Sequence, residues 1–168
     1  ALVDWLTYTQ GETAHYFARY DRWKALIGFD QSYGSAQFTD NHFHYGYLIH
    51  AAALYGMLDS QFLTDYGEML KLVTKQYANW QREDAFLPYL RTFDPWMGHS
   101  YAGGTSSGGG NNQESTSEAM QSWIGMYLLS DLLNDTQMRN AAAFGYSSES
   151  AATLEYWFDW DMQNLPET

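Results

Sequence analysis

Residues 110–118 read Gly-Asn-Asn-Gln-Glu-Ser-Thr-Ser-Glu and mark the point at which a glycine-rich loop enters a predicted helix. The two carboxylates of this stretch, Glu114 and Glu118, are four residues apart. On a helix this spacing places both on one face, with their stems about 6 Å apart. Like charges so placed repel, which favours the protonated form that general acid catalysis uses. The stretch is therefore a candidate for acid–base chemistry.

The same stretch also has a purely structural interpretation. Ser-Thr-Ser-Glu at residues 115–118 fits a capping box, in which Ser115 caps the helix and the side chain of Glu118 returns to the Ser115 amide. The spacing alone leaves both interpretations open.

The composition describes one acidic domain. The chain has 168 residues, which predicts a single domain over 1–168, and 45% of them are hydrophobic. A formal net charge of -12, from 20 acidic and 8 basic residues, argues against nucleic acid and anionic membrane surfaces as partners. The absence of cysteine excludes disulfides and thiolate metal sites. No apolar run approaches the roughly 18 residues that a membrane span needs.

Aromatic residues are unusually frequent, at 18% of the chain with 14 Tyr and 7 Trp. Most of them are expected in the core. Tyr and Trp also combine a flat apolar face with a polar group, and sugars present apolar C–H faces ringed by hydroxyls. An acidic groove rich in aromatic side chains therefore suits a neutral carbohydrate ligand.

The apolar periodicity predicts an all-α fold of helical hairpins. One or two short helices are expected within residues 1–27, and residues 28–40 read as a loop. The longer helices are predicted at 43–58, 61–80, 115–133, 136–144 and 148–160. Asp59 or Ser60 is expected to cap the second of them. No strand pattern is evident, and residues 81–113 form a long irregular segment of the kind that is usually functional or mobile.

A second candidate site follows the loop at 28–40, in the sequence Asp-Asn-His-Phe-His-Tyr-Gly-Tyr at residues 40–47. Asp40, His42 and His44 could hold a metal in an extended segment. The same side chains could transfer protons, and a capping aspartate beside core histidines is the structural alternative. All three interpretations stay open from the residues alone.

A third group, Arg-Thr-Phe-Asp-Pro-Trp-Met-Gly-His-Ser-Tyr, occupies residues 91–101. Asp94 and His99 are polar groups in an aromatic loop, although an Asp-Pro turn and a glycine bend explain them as well. The carboxylates of the other two stretches lie at two loop-to-helix junctions. Glycoside hydrolysis needs such a pair, one carboxylic acid to protonate the leaving oxygen and one carboxylate to act as base or nucleophile.

Four motifs, in this order along the chain, resemble glycoside hydrolase family 81, whose members are endo-β-1,3-glucanases (laminarinases). They are the stretch at 40–47, Arg-Thr-Phe-Asp at 91–94, Gly-His-Ser-Tyr-Ala at 98–102 and Asn-Gln-Glu-Ser-Thr-Ser-Glu-Ala at 112–119. The resemblance runs from about Tyr20 to Trp160. It implies an (α/α)6 barrel that hydrolyses internal bonds of β-1,3-glucan with inversion.

The resemblance also implies roles for individual residues. Asp40 is the general acid, Glu114 is the general base that activates water, and Glu118 supports the base or holds the water. No metal or other cofactor is implied. Substrate-binding positions are expected at His42, His44, Tyr45, Tyr47, Asp94, Trp96, His99, Tyr101 and Gln113.

Two residues depart from the family pattern. Asn41 stands where the family usually has the first of two adjacent histidines, and Tyr101 stands where it usually has Trp. Neither difference removes a carboxylate. Both are therefore expected to affect contacts with the sugar more than the hydrolytic reaction.

Length is the larger departure. Six helical hairpins need roughly twice this chain, and the family's N-terminal β-sandwich domain is expected to be absent. The chain starts at Ala1 without an initiator Met or a signal peptide, so we expect a catalytic-core fragment that a missing barrel segment or self-association completes. The family implies secretion. Two other classes stay open, a β-glucan-binding fragment without catalysis and a helical interaction fragment with a solvated acidic surface.

Overall fold

The computed structural model describes residues 1–105 and 112–166. Its elements in chain order are α1 (Leu2–Leu6), β1 (Tyr16–Tyr20), β2 (Ala25–Phe29), α2 (Asn41–Gly56), α3 (Ser60–Ala78), β3 (Phe93–Asp94), β4 (His99–Ser100), α4 (Thr116–Leu132) and α5 (Thr136–Tyr156). The predicted helical fold is confirmed, and α2 to α5 form two helical hairpins. Within the described ranges, no helix combines the length and the apolar character needed to cross a bilayer.

Local sequence explains where the second helix of each hairpin begins. Asp59 caps α3, as predicted, by accepting hydrogen bonds from the amides of Gln61 at 3.1 Å and Phe62 at 3.2 Å. Asp135 caps α5 by accepting a hydrogen bond from the amide of Met138 at 3.0 Å. These caps satisfy amides that the first turn of a helix leaves unpaired. Each second helix can therefore begin a few residues after the first one ends.

Helices α2 and α4 form the centre of the fold and run parallel. Gly46 contacts Ser122, and one turn further towards the C-terminus of both helices His50 contacts Gly125. Contacts that move in the same direction along both helices show that the helices are parallel. A hydrogen bond of 2.7 Å joins the His50 ring to the side chain of Gln121. Helix α3 packs on α2, and α5 packs on α4. Since parallel helices begin at the same end, the N-termini of α2 and α4 lie side by side.

The core between these helices is apolar. Trp123 of α4 is 2% exposed and meets Phe93 edge-on, with ring centroids 5.4 Å apart. The other large buried side chains of this core include Ile49, Leu70, Tyr77, Met126, Leu129 and Met138. Burial of this apolar surface fixes α2 against α4 and thereby fixes the relative position of their N-termini.

The hairpin of β1 and β2 corrects the absence of strands predicted from sequence. Of the helices expected within residues 1–27, the structure has α1, whereas β1 and β2 pair antiparallel with Tyr16 opposite Phe29. The amide of Leu26 donates a hydrogen bond of 2.7 Å to Oε1 of Gln76 in α3. Periodicity within the strand does not reveal such a distant partner, which is why the hairpin was missed.

Helix α5 is continuous, where the sequence predicts two helices separated between residues 144 and 148. A Cβ at Gly145 would lie 2.5 Å from the ring of Trp123, so α5 approaches α4 very closely at this point. Glycine and serine have low helix propensity, and the local sequence therefore indicates a break. Packing against α4 overrides that preference.

Gly46→Ala is expected to destabilise the fold. The new Cβ would lie 2.5 Å from the Cβ of Ser122, so α2 and α4 would have to move apart, and overpacking of this kind costs about 1–3 kcal/mol. The free energy of unfolding of the full-length protein, measured by denaturant titration, tests this expectation.

Gly56→Ala in the same helix is the matched control. Its Cβ would meet the end of the Leu63 side chain, 2.6 Å from Cδ2, and that side chain can rotate away. A loss of stability in Gly46→Ala no larger than the loss in Gly56→Ala would contradict the close contact of α2 with α4.

Candidate active site

Asp40 is the N-cap residue of α2, and its side chain is almost entirely buried. Its φ of 54° lies in the left-handed region, and the side chain makes no capping hydrogen bond. The residue is 8% exposed, and Oδ1 accepts no hydrogen bond from the described residues. Asp40 therefore occupies the capping position without capping the helix through its side chain. A buried carboxylate oxygen that has no donor is poorly stabilised in the charged form of the group.

Burial is the main reason why the pKa of Asp40 is raised above its ordinary value of 3.8. The negative charge of Glu114 adds to the rise and that of Glu118 adds less, whereas His44 opposes them. Both glutamates therefore lie close enough to act on the charge of Asp40. The raised pKa keeps a proton on this carboxyl group at a pH where an ordinary aspartate has lost it, which suits a general acid.

Glu114 and Glu118 lie at the N-terminus of α4, next to Asp40. Glu114 has a left-handed φ of 61°, and Nδ2 of Asn112 donates a hydrogen bond of 3.3 Å to its Oε2. The hydroxyl of Tyr47 in α2 donates a hydrogen bond of 3.1 Å to Oε1 of Glu118. Glu114 therefore belongs to the loop that precedes α4, whereas a side chain of the neighbouring helix α2 holds Glu118.

The capping box predicted at residues 115–118 is half correct. Ser115 caps α4, because its Oγ accepts a hydrogen bond from the amide of Glu118 at 3.4 Å. The amide of Ser115 donates to the carbonyl oxygen of Gln113 at 2.8 Å instead of to Glu118. The Glu118 carboxylate is thereby left to face Tyr47. The first two residues of the stretch at 110–118 lie outside the described residues.

A short chain of backbone hydrogen bonds ties the two carboxylate-bearing loops together. The amide of Asp40 donates to the carbonyl oxygen of Ala102 at 3.0 Å, and the amide of Ala102 donates to the carbonyl oxygen of Asn112 at 2.7 Å. Beneath these bonds, Ala102 packs with Phe43 and Ala119 in a small buried cluster. The relative position of Asp40 and Glu114 is therefore set by backbone as well as by helix packing.

The three carboxylates open into one cleft of about 290 Å³. Its lining residues are Tyr33, Asp40, Phe43, His44, Tyr47, Glu114 and Glu118. A substrate held here would meet the carboxyl group of Asp40, whose pKa is raised, and those of Glu114 and Glu118. This arrangement can both donate a proton and accept one, which is the requirement of acid–base hydrolysis.

Of the four residues between 42 and 47 that were expected to bind substrate, two line the cleft and two do not. His44 and Tyr47 line the cleft. His42 is 1% exposed, and burial lowers its pKa to about 3. Tyr45 is also buried, and its hydroxyl accepts a hydrogen bond of 3.0 Å from the amide of Gly28. The expected substrate contact of His42 is corrected, because its side chain is buried in the interior. Tyr45 does not line this cleft, but it lines a neighbouring cleft of about 390 Å³ together with His44 and Tyr47, so its contact with substrate stays a prediction.

The irregular segment predicted at 81–113 contains β3 and β4 and forms a second cleft of about 450 Å³. Asp94 and Tyr101 line it together with Arg91. Oδ1 of Asp94 accepts hydrogen bonds from the amides of Trp96 at 2.8 Å and Met97 at 3.3 Å, so this carboxylate also shapes a turn. Trp96 is 91% exposed. Both interpretations of this loop, as a turn and as a binding surface, remain compatible with the structure.

Two further expected substrate contacts are buried. His99 is 5% exposed and packs edge-on against Tyr101 and Trp157, with ring centroids 4.8 and 5.1 Å away. Gln113 is 8% exposed. His99 is a core residue in this structure, which corrects its expected contact with substrate. The carbonyl oxygen of Gln113 accepts a hydrogen bond from the Ser115 amide at the start of α4, and Gln113 does not line the cleft that holds the three carboxylates.

The metal interpretation of Asp40, His42 and His44 receives no support. Within residues 1–105 and 112–166, no group of three or more His, Asp or Glu side chains is arranged to hold a metal ion. The helix that begins at Asn41 turns His42 into the interior and His44 towards the cleft, so the spacing that suits an extended ligand segment does not apply.

Three residues of this region were missed from the sequence. Tyr33 lines the cleft, and Asn112 contacts Glu114. Glu149 of α5 is fully buried and accepts hydrogen bonds from the amide and hydroxyl of Ser100, at 2.8 and 2.7 Å, and from Nε1 of Trp123 at 2.7 Å. It anchors β4, which leads into the Ala102 segment. Asn112 stood in the quoted stretch and could have been found there, whereas a glutamate in the middle of a helix gives no such signal.

Asp40→Asn is expected to stabilise the protein at neutral pH. A carboxyl group whose pKa is raised in the folded state contributes stability below its unfolded pKa, and that contribution is lost as pH rises through the folded pKa. Asparagine has no charge to lose and tolerates the left-handed backbone. The melting temperature of the variant should exceed that of the parent at pH 7, and the difference should shrink towards pH 3.

Asp59→Asn is the matched control, because Asp59 is an N-cap whose carboxylate has hydrogen-bond donors. This variant should show no such gain at pH 7. A melting temperature of Asp40→Asn at or below that of the parent at pH 7 would contradict the raised pKa of Asp40.

Comparison with known proteins identifies the family. Residues 5–167 match the sequence profile of the Glycosyl hydrolase family 81 C-terminal domain. The chain is 42% identical over 163 residues to a glucan endo-1,3-β-D-glucosidase of Acetivibrio thermocellus, covering 95% of this chain and 21% of the relative. It is 36% identical over 170 residues to a glucan endo-1,3-β-D-glucosidase of Thermobifida fusca, covering 98% and 22%.

A solved structure agrees with this assignment. A glycoside hydrolase family 81 protein from Clostridium thermocellum, determined as a glutamate-to-alanine mutant, superposes with a TM-score of 0.93 at 40% identity, covering 98% of this chain and 24% of that chain. The chain thus spans about a fifth of the length of the curated relatives. The matched profile and these relatives together show that the chain belongs to glycoside hydrolase family 81 and that it matches the family's C-terminal domain.

Proposed function

We propose that this chain carries the catalytic carboxylates of an endo-β-1,3-glucanase that hydrolyses laminarin-type β-glucan with inversion. One observation carries the proposal: Asp40, a buried carboxyl group with a raised pKa, shares a cleft with the more accessible Glu114 and Glu118. Two relatives bear the name of glucan endo-1,3-β-D-glucosidase. A polysaccharide substrate would place this activity outside the cell.

The proposed mechanism uses Asp40 as general acid and Glu114 as general base. Asp40 donates its proton to the glycosidic oxygen as the bond from that oxygen to the anomeric carbon breaks. Glu114 removes a proton from a water molecule whose oxygen bonds to the opposite face of the anomeric carbon. Each turnover leaves Asp40 charged and Glu114 protonated, and exchange with solvent restores both. Inversion needs the two carboxyl groups roughly 6.5–9.5 Å apart, which leaves room for the water.

Glu118 is proposed to support this pair. Its carboxylate accepts a hydrogen bond from the Tyr47 hydroxyl, and its charge contributes to the raised pKa of Asp40. It would therefore help to keep the acid protonated and could also hold the water. No metal or cofactor enters any step.

Completion of the barrel is part of the proposal. The described residues form two helical hairpins, whereas an (α/α)6 barrel has six. Large apolar side chains such as Ile124, Tyr127 and Tyr146 are exposed on α4 and α5. Further helices of the full-length protein, or a second copy of the chain, would cover this surface.

Asp40→Asn and Glu114→Gln are each expected to lower the rate of reducing-sugar release from laminarin by about 10²–10⁴-fold, because each removes a proton-transfer group. Glu68→Gln is the matched control, since Glu68 is highly exposed on α3 and outside the cleft. The full-length protein should release oligosaccharides whose new reducing ends are initially α-anomers by NMR.

The alternatives give different results in the same assay. Binding of laminarin without any product would indicate a glucan-binding domain without catalysis. Full activity in Asp40→Asn would refute the assignment of the acid, and initial β-anomers would refute inversion.

Glu118→Gln is expected to shift the alkaline limb of the pH–rate profile to lower pH. Loss of its negative charge lowers the pKa of Asp40, so the acid loses its proton earlier as pH rises. The shift should be a fraction of a pH unit, because burial and Glu114 contribute more to the raised pKa. An alkaline limb that stays in place or moves to higher pH would contradict this coupling. Glu68→Gln again serves as the control.

A further inference from the structure

We infer that Tyr33 is a substrate-binding residue on which a glucosyl ring of β-1,3-glucan stacks beside the general acid. The inference rests on the proposed function and adds a contact to it. Tyr33 lies in the loop at 28–40, before the first of the family-like motifs, and its ring lines the cleft that holds Asp40 and Glu114.

The ring of Tyr33 is exposed in a way that packing does not explain. Tyr33 is 81% exposed, whereas Tyr45 and Tyr77 are 5% and 1% exposed. Its one aromatic neighbour among the described residues is His44, with ring centroids 5.7 Å apart and an interplanar angle of 42°. A flat apolar face thus stands in solvent at the mouth of the cleft, and such a face gains free energy when an apolar surface covers it.

The backbone of this loop holds the ring in place at a conformational cost. Tyr33 has a φ of 48° and Gly34 a φ of 76°, so two successive residues are left-handed. A tyrosine in this region is less stable than a glycine. The amide of Ser35 donates to the carbonyl oxygen of Ser32 at 3.0 Å, and Nδ2 of Asn41 donates to the carbonyl oxygen of Ser35 at 2.9 Å. The loop is therefore fixed to the start of α2, immediately beside Asp40.

Strained backbone and an exposed aromatic ring both cost stability, and they coincide here at the cleft. Strain of this kind is concentrated at functional sites, where it pre-orients a side chain. The C–H face of a pyranose fits an aromatic ring, and a ring held in advance loses little entropy on binding. Trp23 shows the contrast, since it is 64% exposed but stacks on Tyr20 in the β1–β2 turn and lies outside the cleft.

The test compares Tyr33→Ala with Tyr33→Trp in the full-length protein acting on laminarihexaose and laminarin. Tyr33→Ala should raise KM roughly three- to tenfold with kcat little changed, because stacking contributes equally to ground and transition states. Its product pattern from laminarihexaose should shift, while Tyr33→Trp should restore KM. Trp23→Ala should keep the KM and product pattern of the parent.

Stability separates a binding role from a structural one. Tyr33→Gly relieves the left-handed backbone, so its melting temperature should equal or exceed that of the parent while its KM rises as in Tyr33→Ala. A lower melting temperature together with the parent's KM would assign Tyr33 a structural role and overturn the inference.

Binding to a catalytically disabled protein separates this inference from the proposed function. Calorimetric titration of laminarihexaose into Asp40→Asn, with and without Tyr33→Gly, should show weaker binding in the double variant. If the parent cleaves laminarin but the two proteins bind the hexasaccharide equally, the inference on Tyr33 fails and the proposed function stands. If the parent neither cleaves nor binds β-1,3-glucan, both fail.

Discussion

The site depends on the parallel packing of α2 on α4. Gly46 against Ser122 and Gly125 against His50 allow the two backbones to come so close that a single Cβ would not fit. Because the helices are parallel, their N-termini meet at one end, and the loops that enter them deliver Asp40 and Glu114 to the same cleft. Residues more than seventy positions apart in sequence thereby act on each other's charge.

The cleft concentrates features that cost stability elsewhere in a protein. Tyr33, Asp40 and Glu114 all have left-handed backbones. Asp40 is also buried without a donor for Oδ1. Backbone bonds through Ala102 and the apolar cluster around Phe43 hold these residues in place. Stability gained in the helical core thus offsets the strain of the site, which is the usual relation between an active site and its scaffold.

Sequence reasoning was most successful where the signal is local. The amphipathic pattern of α3 and the caps at Asp59 and Ser115 depend on residues within one turn; α3 was predicted, and both caps were among the candidates that the sequence offered. It failed where a distant partner decides the conformation. The β1–β2 hairpin is held by Gln76, and the glycine in the middle of α5 is helical because Trp123 packs against it.

Composition and periodicity indicate the helical class and the acidic, aromatic character of the protein, and motifs of adjacent residues carry the resemblance to the family. The sequence also picked out Asp40, Glu114 and Glu118 as candidates. The three-dimensional fold is needed to establish that His42 and His99 are interior residues, that His44 and Tyr47 face the cleft, and that Tyr33 stands exposed beside Asp40. The physical reason is that burial, and with it the pKa of a carboxyl group, is a property of the surroundings that packing creates, which residue type and spacing do not specify.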